Sequence, residues 1–190
     1  ARFVVERIQR FIHDGAAAQD CAVLYRSNAQ SRALEEALIA AQVKYRVYGG
    51  LRFFERAEIK DTLAYLRLLA NRQDDAAFER AVNTPTRGIG QRTVEHLRAQ
   101  SQKHNQSLWE SALGAIQDAT LNGRAKSALL GFVELIDALA RETQHTLLSN
   151  QIDFVLKQSG LYAHYAEASR GTLDARTDNL DELVTVASRF

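Results

Sequence analysis

The apolar residues of this chain recur at helical spacing over most of its length. In the segment 124–142, for example, Leu129, Val133, Ile136 and Leu139 lie on one side of a helix. The pattern predicts helices over 2–13, 29–41, 54–71, 75–82, 91–104, 108–118, 124–142 and 147–168, the last one broken near Gly160, and a final helix from about residue 179 to the end. The fold class is therefore mainly α.

The first 48 residues have a different pattern. A short apolar run at 21–25 and an alternating run at 43–48 have the length and composition of β-strands, and the helix over 29–41 separates them. Strand, helix and strand at this spacing predict a βαβ unit with a parallel pair. Because two strands do not form a stable sheet alone, we expect residues 1–48 to be a small α/β fragment of a larger domain.

Several residues predict where helices begin. Ser107 followed by Glu110, and Asn179 followed by Glu182, fit the capping box, in which two side chains bond reciprocally to the first turn. Either Ser27 or Asn28 can cap the helix over 29–41. The only proline, Pro85, lies in the polar segment 83–90, which we interpret as a turn.

Composition narrows the classes of function. The net charge is only +1, but residues 44–104 hold 12 Lys/Arg against 7 Asp/Glu, and residues 105–190 hold 7 against 11. This asymmetry indicates a surface for a polyanion, although chance placement on solvated helices explains it as well.

The single cysteine, Cys21, fits a reducing, cytoplasmic compartment, and no apolar run has the length of a membrane span. The scattered histidines and the missing nucleotide-binding loop predict no metal site and no self-contained catalytic centre.

The most specific local feature is the segment 86–93, where Gly88 and Gly90 flank Ile89 just before a helix. Glycine allows close approach of a backbone, and the amides at a helix N-terminus favour an anion. Arg87, Arg92 and Arg98 add positive charge nearby. The segment therefore predicts a helix-hairpin-helix-like element that holds a DNA phosphate without reading bases. A plain turn between two helices is the alternative.

Two further groups could bind phosphate. Arg56, Lys60 and Arg67 share one side of the predicted helix over 54–71, where ordinary surface cations are the alternative interpretation. Arg26 and Asn28 follow the first predicted strand, at the end where open α/β sheets bind ligands. Helix capping alone would also explain Asn28.

Four segments together resemble the UvrD/Rep/PcrA family of superfamily 1 DNA helicases. They are AVLYRSNAQSR at 22–32, YGGLRFFER at 48–56, EIKD at 58–61 and NTPTRGIG at 83–90. The resemblance implies a parent protein that uses ATP and Mg²⁺ to move 3′ to 5′ along single-stranded DNA in repair or replication. It implies that residues 1–48 are part of the RecA-like motor domain 2A and residues 49–190 most of its helical insertion 2B.

The resemblance also implies roles for individual residues. Arg26 and Asn28 match a motif that contacts single-stranded DNA. Gly88, Ile89, Gly90 and the nearby Thr93 match the element that binds duplex DNA, and Lys60 and Arg67 match basic positions near that duplex. Gly49 and Gly50 at the 2A/2B junction are a candidate hinge. The ATPase motifs are not found in this sequence, so the chain is expected to bind no cofactor and to be inactive alone.

A regulatory or protein-interaction domain is the alternative interpretation of this sequence. The acidic region 105–190 would repel DNA, and it could offer a regulatory surface for DNA repair proteins or for self-association. Duplex affinity that depends on salt and on Gly88 or Gly90 would favour DNA binding, whereas partner binding untouched by those residues would favour regulation.

Overall fold

The computed structural model describes residues 1–26, 30–47, 53–118, 121, 123–170 and 176–188. The chain folds as two compact units, Ala1–Arg56 and Ala57–Phe190. This division falls after Arg56, whereas the sequence predicts a boundary between residues 48 and 49, within a segment (48–52) outside the described residues.

The first unit contains two packed helices, α1 (Arg2–His13) and α2 (Ser31–Ala40), with 3-10 turns at Ala18–Asp20 and Phe53–Glu55. Polar groups form much of its buried part. The Arg56 guanidinium donates to Ser31 Oγ at 2.7 Å and lies over the Phe53 ring, 5.3 Å from its centre. These interactions compensate the buried Arg56 guanidinium for its loss of contact with water.

The predicted βαβ fragment is not confirmed. Residues 21–26 and 43–47, the described parts of the two expected strands, contain no β-structure, although α2 forms between them. The physical reason is that a strand exists only through hydrogen bonds to its neighbours, and this chain offers only these two strand-like runs. The predicted cap residues Ser27 and Asn28 lie outside the described residues.

All regular secondary structure in the described residues of the second unit is helical. Its helices are α3 (Ala57–Ala70), α4 (Asp75–Ala81), α5 (Gln91–His104), α6 (Leu108–Gln117), α7 (Gly123–Thr143), α8 (Leu148–Gln158), α9 (Leu161–Ala168) and α10 (Arg176–Ala187). The mainly α fold class is confirmed, as is the break at Gly160, whose φ of +81° stops α8 and starts α9. None of the helices in the described segments is long and apolar enough to cross a membrane.

Helix α3 is the centre of this unit and packs against α4, α7, α8 and α10. Its Tyr65 and Leu68 are fully buried. Phe78 of α4 meets Phe132 of α7 edge to face at 5.6 Å between ring centres, and it meets Trp109 of α6 at 6.4 Å. Such aromatic contacts fix how the helices cross, and they place the turn between α4 and α5 against a rigid core.

One predicted helix start is wrong. Helix α10 begins at Arg176, so Asn179 lies inside the helix and forms no capping box with Glu182. The Asn179 side chain is buried, and its Nδ2 donates to Glu58 Oε1 of α3 at 2.6 Å. A buried carboxylate needs a donor, and this tertiary bond decides the role of the asparagine. The helix also ends at Ala187, with Ser188 in a turn, whereas the pattern predicts a helix to the last residue.

Candidate functional site

The turn between α4 and α5 has an open outer face formed by its two glycines. Gly88 has a φ of +79°, a left-handed conformation that side chains disfavour, whereas Gly90 is extended at φ −78° and ψ 170°. A Cβ atom built on either glycine would meet no atom of the described residues within 4 Å. The backbone at 88–90 is therefore accessible to a ligand.

The inner face of the same turn is anchored in two ways. Asn83 Oδ1 accepts the backbone N–H of Arg87 at 2.8 Å and of Ile89 at 3.3 Å. The Ile89 side chain is 1% exposed. The predicted turn is thus confirmed, with the Ile89 side chain buried beneath it and the two glycines exposed on its outer face.

The first amides of α5 form the chemical centre of the site. Thr93 N and Val94 N bond to Gly90 O at 3.0 and 3.3 Å, but the amides of Gly90, Gln91 and Arg92 have no acceptor among the residues that the structure describes. Gly90 is the N-cap residue and offers no side chain to these amides. The first turn contains no acidic residue, and Arg92 is exposed within it. A helix end with this arrangement attracts an anion from outside.

A cleft of about 430 Å³ adjoins the turn and adds a residue that the sequence analysis misses. Gly88 and Thr93 line it together with Arg124 and Ala125 from the first turn of α7. The Arg124 side chain is exposed and has no ion pair within the described part of the chain. No local pattern around Arg124 marks it as a site residue, because it meets the turn only through the packing of the fold.

Arg87 faces the other way. Its Nη1 donates to the carbonyls of Ala81 at 3.2 Å and Pro85 at 3.0 Å, and its Nη2 donates to Ser159 O at 2.9 Å. The guanidinium is half-buried behind the turn and is not one of the exposed cations. The direct DNA contact predicted for Arg87 therefore stays untested, and the contacts support another role, argued below.

The remaining cations of this unit lie apart from the turn. Lys60 is exposed on α3, and Arg67 pairs with Asp74, Nη2 to Oδ2 at 2.7 Å. Arg98 bonds to both carboxylate oxygens of Glu79 and lowers the pKa of that carboxyl. Within the described segments no contact joins Lys60 or Arg67 to the 88–90 turn, so their role near a duplex stays a prediction.

The predicted residues of the first unit are only partly described. Arg26 is exposed, and its backbone N–H donates to Gln30 Oε1 at 3.0 Å. Asn28 and the candidate hinge residues Gly49 and Gly50 lie outside the described residues. The structure also shows no group of three or more His, Cys, Asp or Glu side chains in its described part that could hold a metal ion.

Comparison with known proteins identifies the class to which these features belong. The chain belongs to the UvrD-like helicase C-terminal domain family, which it matches over residues 1–187. Over its whole length it is 55% identical to DNA helicase II of Escherichia coli strain K12 and 54% identical to DNA helicase II of Haemophilus influenzae. It is 38% identical to the ATP-dependent DNA helicase PcrA of Staphylococcus aureus. The UvrD/PcrA-type resemblance of the sequence is thereby confirmed, and the chain spans 26% of the length of each relative.

Proposed function

We propose that this chain is the duplex-holding part of an ATP-dependent 3′-to-5′ superfamily 1 DNA helicase. The relatives are named as DNA helicases, and the chain covers about a quarter of each. In this proposal ATP and Mg²⁺ act elsewhere in the parent protein. The chain supplies contacts to DNA and does no chemistry alone.

The observation that carries the proposal is the open end of α5. The amides of Gly90, Gln91 and Arg92 have no acceptor among the described residues, and no acidic side chain of the first turn competes for them. A DNA phosphate is an anion of the right size, and it would accept hydrogen bonds from these amides. Charge-assisted bonds of this kind contribute about 1.5–3 kcal/mol each, which is large enough to decide affinity.

Side chains around the turn would extend this contact along the DNA backbone. Arg92 stands in the first turn of α5, and Thr93 and Arg124 line the adjoining cleft. Lys60 and Arg67 are proposed for more distant phosphates, where Arg67 would exchange Asp74 for DNA. All of these groups bind phosphate and none reads a base edge, so binding is expected to be independent of sequence.

The first unit would contribute the single-stranded side of the junction. Arg26 is exposed and carries a guanidinium suited to a phosphate. By family resemblance Arg26 and Asn28 would hold the single strand, while Gly49 and Gly50 would allow the duplex-holding unit to change its orientation during the ATP cycle. These roles belong to the same proposal.

Duplex binding by the isolated chain tests the proposal. Fluorescence anisotropy with labelled duplex DNA, at low and at moderate salt, compares the unmodified chain with the double variant Gly88→Asp, Gly90→Asp. Both substitutions meet open space, but Gly88→Asp strains a backbone with a φ of +79°, so circular dichroism verifies that the variant is folded. We expect affinity that falls with salt and drops further in the variant. No binding by either protein, or equal binding by both, would remove this function.

A second candidate function rests on a different surface. Leu147 and Leu148, just before and at the start of α8, are 72% and 44% exposed, in the part of the sequence with excess acidic charge. This surface would suit a regulatory contact with a DNA repair protein or a second copy. Sedimentation of the chain at increasing concentration, with Leu147→Ser as the control, tests self-association independently of DNA.

A further inference from the structure

We infer that Arg87 is a positioning residue, which holds the 88–90 turn in its anion-binding conformation from inside the protein and does not itself bind phosphate. The inference deepens the proposed function and rests on it for its DNA readout. It reassigns an arginine that sequence reasoning places among the phosphate ligands.

The carbonyls bonded to Arg87 come from three different places. Ala81 is the last residue of α4, Ser159 is the C-cap of α8, and Pro85 lies within the loop itself. The carbonyl ends of helices carry partial negative charge, so a cation between two of them is stabilised. A guanidinium can donate in several fixed directions at once, which a lysine ammonium with its single atom cannot reproduce.

Two aromatic rings enclose the same guanidinium. Its central carbon lies 5.6 Å from the ring centre of Tyr65 in α3 and 5.6 Å from that of Phe132 in α7. These distances are within the range of cation–π attraction. Arg87 thereby connects the loop to α3, α4, α7 and α8 through one side chain.

Tyr65 supports the loop directly as well. Its hydroxyl lies 2.7 Å from Thr84 O and 3.3 Å from Ala81 O, and it is the donor to these carbonyls. Burial raises the pKa of Tyr65 to about 12, so the hydroxyl keeps its proton at neutral pH.

The contacts of Arg87 also affect Gly88, the next residue in the chain. Gly88 has a left-handed backbone, nothing packs on its outer face, and its own amide has no acceptor among the described residues. Its conformation is held by its neighbours, Arg87 on one side and Ile89 on the other. Releasing Arg87 would remove its three bonds to carbonyls and weaken the support of the loop, and the amides that begin α5 would no longer be held in place for an anion.

The salt dependence of duplex binding separates positioning from direct contact. Each phosphate neutralised by a cation contributes about −0.9 to the slope of log affinity against log salt. We compare Arg87→Lys and Arg87→Gln with Arg92→Gln across a salt series. We expect both Arg87 variants to lower affinity, Arg87→Lys by about tenfold, with the slope unchanged, and Arg92→Gln to reduce the steepness of the slope by about 0.9. A slope change in Arg87→Gln equal to that of Arg92→Gln would overturn the inference.

Amide hydrogen exchange without DNA supplies the independent measurement. We expect faster exchange at Arg87 and Ile89, whose amides bond to Asn83, in Arg87→Lys and also in Tyr65→Phe, which keeps the ring and loses the hydroxyl. If Arg87→Lys does not fold, Tyr65→Phe carries both readouts. Unchanged exchange in the folded variants would overturn the inference. Absence of duplex binding by the unmodified chain would instead remove the proposed function, with the exchange result still deciding whether Arg87 holds the turn.

Discussion

Helices α5 and α6 follow one another along the chain and begin in opposite ways. At the start of α6, Ser107 Oγ accepts the N–H of Glu110 at 3.2 Å, and Glu110 Oε2 accepts the N–H of Ser107 at 2.9 Å. Asp75 of α4 accepts the N–H of Leu108 at 2.7 Å. The amides of Ser107, Leu108 and Glu110 at this helix end are therefore satisfied inside the protein.

At the start of α5 none of these devices is present among the residues that the structure describes. Gly90 caps the helix without a side chain, the first turn has no acid, and Arg92 adds a positive charge to the positive end of the helix dipole. Such an uncapped and positively charged start makes an isolated helix less stable than a capped start does. The comparison teaches that the chain can build a satisfied helix end and does not do so at the start of α5, where an external anion would take the role of the cap.

The largest expected effect comes from giving α5 the kind of cap that α6 has. Gly90 is already extended and its outer face is open, so Gly90→Asp fits without strain. The carboxylate would accept the amides proposed for phosphate and would repel DNA. We expect duplex affinity to fall by about 2 kcal/mol, roughly thirty-fold, while the free energy of unfolding stays the same or rises by a few tenths of a kcal/mol. Anisotropy and urea denaturation measure the two quantities.

Gly90→Asn is the matched control for charge, because its side chain caps the helix without a negative charge. An affinity between those of the unmodified chain and Gly90→Asp is expected. If both variants bind duplex as well as the unmodified chain, the α5 amides are not the site, and the contrast between the two helices has no functional meaning.

The second-largest effect is expected from removing the N-terminal cap of α6. Ser107→Ala removes one acceptor from the capping box and is expected to lower the free energy of unfolding by about 1 kcal/mol. Duplex affinity should not change, since the bonds at this end are internal. Urea denaturation and anisotropy on the same preparation test both statements. A loss of duplex affinity in a folded Ser107→Ala variant would contradict the division of roles between the two ends.

A smaller effect is expected from Arg124, which meets the α5 turn only through the fold. Arg124→Gln removes one cation from the cleft and should remove one phosphate contact. We expect the affinity loss between 50 and 200 mM salt to shrink by about 3.5-fold, equivalent to about 0.9 in the salt slope. Arg141→Gln on the same helix, which changes net charge equally, is the control. Equal slope changes in both variants would indicate a general charge effect and no specific contact.

The helical part of the fold was predictable because its signals are local. The segment 91–104 and the capping box at Ser107 are found as the sequence predicts them, since helical periodicity and capping both act within a few residues. The two expected strands depend on hydrogen bonds to other chain segments. Asn179 does not cap a helix because its side chain donates a hydrogen bond to Glu58 on α3. Local patterns cannot report either of these tertiary effects.

The candidate site likewise has one part that the sequence predicts and another part that only the folded structure reveals. Gly88, Ile89 and Gly90 are recognisable from the sequence because the open turn is made by consecutive residues. The direction of the Arg87 side chain is set by carbonyls at Ala81 and Ser159, and Arg124 reaches the site from α7. A sequence shows that an arginine is near a turn, but only the packing shows on which side of the turn its charge lies.

The smallest effect concerns α4, whose start is also satisfied internally. Asp74 accepts the N–H of Ala77 at 2.9 Å and pairs with Arg67, and these contacts, the backbone bond first, lower the pKa of Asp74. A carboxyl with a lowered folded pKa stabilises the fold above its unfolded pKa near 3.8, and this contribution is lost as the pH falls through the folded value. We expect Asp74→Asn, which keeps a cap, to lower the free energy of unfolding by about 0.5 kcal/mol at pH 6, because Arg67 is largely exposed and solvent screens the pair. Urea denaturation at pH 6 and below pH 3 measures the difference between the two proteins, which should vanish at the lower pH. A difference independent of pH would mean that the Asp74 charge has no part in holding this helix end, and that α4 resembles α6 through its cap alone.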